Sequence, residues 1–204
     1  LRLVGSEMCI RDRCKTIQKV IFILAVICVS ITQSWADSWK EIFFADPTIF
    51  VENGKYYLTG TRNREPQGFA ILESTDLKHW TVPNGKDLQL ILRKGDQAFG
   101  EKGFWAPQYF KDKRTYYFTY TANEQTVIAS SKSVFGPFRQ KEVKPIDASA
   151  KNIDSFLFKD DDGKYYLYHV RFNKGNYLWV AEFDIKKGSI KPETLKQCMD
   201  CTCL

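Results

Sequence analysis

Asp46-Pro47-Thr48-Ile49-Phe50-Val51-Glu52-Asn53-Gly54-Lys55-Tyr56-Tyr57-Leu58 reads as a strand, a turn and a returning strand. β-Branched and aromatic residues crowd both arms, and Asn-Gly between two such runs is the strongest short-range signal of a hairpin. The unit recurs twice. Ala106-Pro107-Gln108-Tyr109-Phe110 leads through Lys111-Asp112-Lys113-Arg114 into Thr115-Tyr116-Tyr117-Phe118. Asp154-Ser155-Phe156-Leu157-Phe158 leads through Asp160-Asp161-Asp162-Gly163 into Lys164-Tyr165-Tyr166-Leu167. A third β-rich run follows each copy: Phe69–Ser74, Thr126–Ser131 and Tyr177–Glu182. Asp46, Ala106 and Asp154 are thus equivalent positions, 60 and 48 residues apart. Helical periodicity is nearly absent after residue 37. Short strands in units of this period are the mark of propeller blades. The expected fold class is all-β, a β-propeller of which residues 37–197 supply about three blades.

Around this core the composition is that of a folded domain. Hydrophobic residues make up 44% and aromatic residues 15% of the 204 residues, which excludes a disordered chain. The net charge of +6 is modest, and the basic residues are scattered over solvated strand faces without a long run. No nucleic-acid partner is expected.

The N-terminal stretch reads as an export signal over 14–36. Lys15 and Lys19 precede the apolar run Val20–Ile31, and small residues at Ser34 and Ala36 frame a cleavage site after Ala36. The run is too short for a spanning helix, which needs about 20 residues. The expected location is periplasmic or extracellular, with no membrane partner after cleavage. Upstream, Met8-Cys9-Ile10-Arg11-Asp12-Arg13 resembles translated sequencing-adapter DNA, so 1–13 are read as non-native. No cysteine lies between Cys28 and Cys198, so the core uses no disulfide. Cys198, Cys201 and Cys203 crowd the end without a second cluster or a nearby His. The segment 198–204 is therefore read as a truncated or artefactual tail rather than a metal site.

Chemistry is expected where equivalent positions converge. In a propeller the first strand of each blade lines the central channel and its start sits at one mouth. Asp46 and Asp154 hold that place in the first and third copies. Paired carboxylates suit glycoside hydrolysis, where one group acts as base and another as acid across the bond. An Asp opening a strand also serves as a simple turn cap. Trp105 opens the inner strand of the second copy, where it either stacks on a sugar face or fills the core. Phe44 and Phe104 precede equivalent strand starts and are weaker candidates for substrate contact. Trp80 reads as structural. His169, on a strand, reads as a packing residue. Asp160-Asp161-Asp162-Gly163 lacks the following Glu of a calcium loop and reads as a solvated turn, so no metal ligand is assigned.

Ala45-Asp46-Pro47-Thr48-Ile49, Ser74-Thr75-Asp76-Leu77-Lys78-His79-Trp80, Trp105-Ala106-Pro107, Gly136-Pro137-Phe138 and Ile153-Asp154-Ser155-Phe156 form an ordered set. Together they resemble glycoside hydrolase family 43 over about 37–197. The resemblance implies a five-bladed propeller and inverting hydrolysis of arabinofuranosides or xylosides. It implies that Asp46 is the general base and that Asp154 orients the general acid and raises its pKa. The acid itself would be a Glu on a later blade. Glu182, mid-strand, and Glu193, in a loop, do not match it. On this reading the chain is an N-terminal fragment, itself inactive, of a carbohydrate-active enzyme. No cofactor is implied, and a structural calcium would belong to the missing part of the channel. Two alternatives stay open: a non-catalytic carbohydrate-binding propeller, and a related five-bladed fructan-active or phosphorolytic enzyme.

Overall fold

The computed structural model of the protein describes residues 42–199, except Lys86, Asn173, Lys174 and the side chain of Asn84. The expected export signal, the adapter-like residues and the tail beyond Met199 lie outside the described residues. The described part contains β-strands and two short 3-10 turns, with no α-helix.

Three larger antiparallel sheets follow one another along the chain, with a two-stranded pair beside the first. In the first, β1 (Ala45–Glu52) pairs β2 (Lys55–Thr61). The expected third strand is split. Phe69 and Ala70 belong to β3 (Gly68–Ala70), which leaves the sheet to pair β5 (Leu90–Arg93), whereas β4 (Leu72–Ser74) stays on β2. The second sheet is β6 (Trp105–Asp112), β7 (Thr115–Ala122) and β8 (Gln125–Ser131). The third is β9 (Asn152–Lys159), β10 (Tyr165–Phe172) and β11 (Asn176–Asp184), edged by β12 (Ser189–Ile190) and β13 (Lys196–Gln197). The first strands β1, β6 and β9 are spatial neighbours. This is the succession of blades in a propeller.

Alternation along β7 shows how neighbouring sheets pack. Phe118, Tyr120 and Ala122 are buried in an aromatic core shared with Phe69 of β3 and Ile71 just after it. Tyr117, from the opposite face, packs with Phe110, Leu157 and Leu167 against the third sheet. A residue period of two thus feeds two cores from one strand. Trp80 is buried with Leu58, Leu72 and Val82, as a structural residue should be. Its turn is shaped by Asp76, which accepts hydrogen bonds from the backbone amides of His79 (2.8 Å) and Lys78 (2.9 Å). Those bonds, with the His79 ring, hold the Asp76 carboxyl well below the usual range.

Polar ties repeat between sheets. Glu52, ending β1, accepts from Lys111 of β6 and from the Tyr116 hydroxyl of β7 (2.5 Å). One sheet on, Asp112, ending β6, accepts from Lys159 of β9 (2.8 Å) and from Tyr165 of β10. In each case the ammonium also lies over the tyrosine ring, at 4.7 and 5.1 Å from its centroid. Closer in, the Gln108 amide works as a surrogate strand. It accepts from the Leu157 N–H (2.7 Å) and donates to the Leu157 carbonyl (3.2 Å).

Two consequences are measurable. Gln108→Leu leaves both backbone groups of Leu157 unpartnered, and should lower the unfolding free energy in urea by about 1–3 kcal/mol. His169 is fully buried. Burial, opposed by Asp147 and assisted by Arg171, lowers its pKa from 6.5 to about 4. Above pH 6.5 both folded and unfolded states hold a neutral ring. Between pH 6.5 and about 4 the unfolded chain binds the proton first, so stability falls with acidification, by at most about 1.4 kcal/mol per pH unit. His169→Gln should flatten this slope in urea titrations across that window.

Candidate active site

The three equivalent positions share an unusual backbone. Asp46, Ala106 and Asp154 all lie in the left-handed region, with φ of 46°, 44° and 53°. Each opens a β-bulge. Asp46 and Pro47 together face Gly60, Ala106 and Pro107 face Tyr120, and Asp154 and Ser155 face His169. The bulge bends the strand start and re-aims its first side chain. Asp tolerates this conformation because its short polar group bonds locally, whereas Ala106 adopts it at a cost. Gly60 is required by the close approach of the first bulge: a Cβ there would sit 2.6 Å from Phe44 Cβ and 2.7 Å from the Ala45 carbonyl oxygen.

Both aspartates are exposed at the same end of their sheets. They differ in hydrogen bonding. The Asp46 Oδ2 accepts from the Thr61 hydroxyl at 2.7 Å. The same hydroxyl oxygen accepts from the Ala106 N–H at 2.9 Å, tying the first sheet to the second. In the next copy the Thr121 hydroxyl accepts from the Asp154 N–H at 3.1 Å, a backbone tie that does not involve the carboxylate. Burial and the nearby negative charge of Asp46 raise the Asp154 pKa.

The aromatic candidates separate. Trp105 is 39% exposed at the head of β6, beside Ala106. Its indole lies against Gly103, where a Cβ would approach the ring to 3.2 Å. Phe104 is 4% exposed and stacks on Tyr120 in the core, so it is not presented at the mouth. Phe44 packs on the cluster around Leu58 and Trp80. The exposed ring on that side is Phe43, covered by the Arg64 guanidinium at 5.6 Å. A cavity of about 180 Å³ lies next to it, lined by Arg62, Arg64, Glu65, Gln67, Gly103 and Phe104. Sequence reasoning missed Thr61, Phe43 and Arg64. Only the Thr at the same offset in the first two copies, Thr61 and Thr121, was there to be noticed.

A larger groove of about 430 Å³ lies between the second and third sheets, lined by Tyr117, Arg139, Lys141 and Lys186 among others. Neither Asp46 nor Asp154 lines it, so it is not where their chemistry occurs. Glu182 is bracketed by Lys191 (2.7 Å) and Lys164 (3.3 Å), which hold its pKa down, the wrong direction for a proton donor. Among the described residues no three His, Cys, Asp or Glu side chains gather as a metal site. Removing the charge of Asp46 should lower the Asp154 pKa while leaving it above the usual range, because burial persists. Carbon-13 titration of the Asp154 carboxyl in wild type and Asp46→Asn measures this, and an unchanged midpoint would disprove the coupling.

The chain has counterparts among known proteins. The sequence profile of glycosyl hydrolases family 43 matches residues 40–202. Xylosidase/arabinosidase 43A of Humicola insolens is 28% identical over 171 residues, covering 70% of this chain and 50% of that protein. Extracellular endo-alpha-(1->5)-L-arabinanase 1 of Bacillus subtilis is 28% identical over 159 residues, covering 72% and 48%. Among solved structures, an endo-1,4-beta-xylanase of Bacteroides thetaiotaomicron is 41% identical with a TM-score of 0.65, covering 76% of this chain and 52% of that one. The chain thus spans about half the length of these relatives. Three bulged sheets in propeller succession, two carboxylates on equivalent bulges and a profile match over most of the sequence lead to one conclusion: the chain belongs to glycosyl hydrolases family 43.

Proposed function

We propose that the full-length protein hydrolyses O-glycosidic bonds of arabinofuranosides or xylosides in plant cell-wall polysaccharides, with inversion, after export from the cell. The observation that carries this is the placement of Asp46 and Asp154 on equivalent bulges, within electrostatic reach of each other. The relatives are named for xylose- and arabinose-releasing activities, and one of them is named as extracellular.

Asp46 is the general base. It is exposed, and Oδ2 is held by Thr61 while Oδ1 makes no hydrogen bond within the described residues, so it can take a proton from an attacking water. Inversion leaves room for that water, with base and acid about 6.5–9.5 Å apart. Asp154 raises the pKa of the acid by like-charge proximity and orients it. The acid is a Glu of a later blade, in a five-bladed propeller to which residues 37–197 contribute about three blades. Trp105 offers one face of its indole to a sugar ring.

In the full-length protein, Asp46→Asn should reduce turnover of aryl arabinofuranosides and xylosides by about 10²–10⁴-fold, with the circular dichroism spectrum unchanged. Undiminished turnover would remove Asp46 from the base role.

A further inference from the structure

We infer that Thr61 is a positioning residue for the base, coupling the Asp46 carboxylate to the strand that carries Trp105. This rests on the reading of Asp46 given above.

Thr61 ends β2, directly across the ladder from Ala45, and is 5% exposed. Its hydroxyl has one proton, and that proton goes to Asp46 Oδ2. A lone pair of the same oxygen takes the Ala106 N–H. The N–H from the neighbouring sheet takes one position on the oxygen, and of the two that remain for the proton one is directed at Asp46 Oδ2. Two bonds on one atom therefore fix three things together: the Asp46 rotamer, the bulge at Ala106, and the spacing between the first and second sheets.

The repeats act as an internal control. Thr121 stands at the same place in the second sheet, across from Trp105, and makes the same backbone tie forward, to Asp154. Its own sheet has Ala106 at the bulge, which offers no carboxylate. Bracing the sheets thus requires only a lone pair on the hydroxyl oxygen. Donation to a carboxylate is an added role, found where the proposed base stands. In the third sheet Val170 takes the place of the threonine, across from Ile153, and no hydroxyl bears on Asp154 from its own sheet. Of the two aspartates, the one whose oxygen must meet a water at a set angle is the one held by a hydroxyl.

The test uses the full-length protein, with Thr61→Val, Thr61→Ser and Asp46→Asn assayed on aryl arabinofuranoside and xyloside. Val keeps the shape and β-branching but loses the proton and the lone pairs. Its kcat should fall by about 10–100-fold with KM within about threefold, as expected for a displaced reacting group. Ser restores the hydroxyl and should recover at least half of wild-type kcat. A crystal structure of Thr61→Val should show the Asp46 carboxylate rotated from its wild-type direction. If Asp46→Asn abolishes turnover but Thr61→Val keeps it, the base assignment stands and the positioning role is wrong. If Val and Ser lose activity equally, Thr61 acts through packing and the inference fails. If Asp46→Asn turns over normally, the base assignment fails and the positioning role falls with it.

Discussion

One backbone constraint organises the molecule: near the start of each inner strand one residue is turned into the left-handed region and opens a two-against-one bulge. A regular strand would alternate its side chains up and down along the channel. The bulge breaks that alternation once, at the mouth, and presents the residues there outward. Pro47 and Pro107 suit the second bulge position because it lies off the regular ladder. Gly60 suits the position opposite because Phe44 leaves no room for a Cβ. Small departures from regular strand chemistry thus cluster where the carboxylates must converge.

The repeated hairpins were legible because their evidence is local. Asn53-Gly54 and Asp162-Gly163 punctuate runs of β-branched and aromatic residues, and strands formed on both sides of each turn. Asp46 and Asp154 were found by register alone, since equivalence within a repeat survives without knowledge of any contact. The split between Phe69 and Leu72 was not legible. Residues 69–74 have strand composition throughout, and the change of partner from β5 for β3 to β2 for β4 depends on residues 90–93, distant in sequence. Phe104 misled for a similar reason. A residue beside an outward-turned Trp faces inward, but that follows only once the bulge is known. Ala106 carries no sequence signal of its left-handed conformation, because alanine has no preference for it.

The two aspartates show how one repeat position can acquire two hydrogen-bonding environments. Their backbones match to within a few degrees of φ. What differs is the neighbouring strand, with Thr61 beside one and Val170 at the corresponding place beside the other. Asp46 is held by that hydroxyl, whereas burial and the nearby anion of Asp46 raise the pKa of Asp154. Divergence between copies of a repeat can therefore separate acid–base roles by changing a residue on the adjacent strand while leaving the aspartates in place.

The ties made by Glu52 with Lys111 and Tyr116, and by Asp112 with Lys159 and Tyr165, have a direction. The first and second sheets each extend an acid forward and receive the next sheet's lysine and tyrosine. Such an interface is heterologous: its two halves are different surfaces, so two identical sheets cannot satisfy it by facing each other about a twofold axis. Head-to-tail contacts of this kind close only as a ring. The same lysine, tyrosine and acid that fasten neighbouring sheets thereby also give their succession a sense of direction.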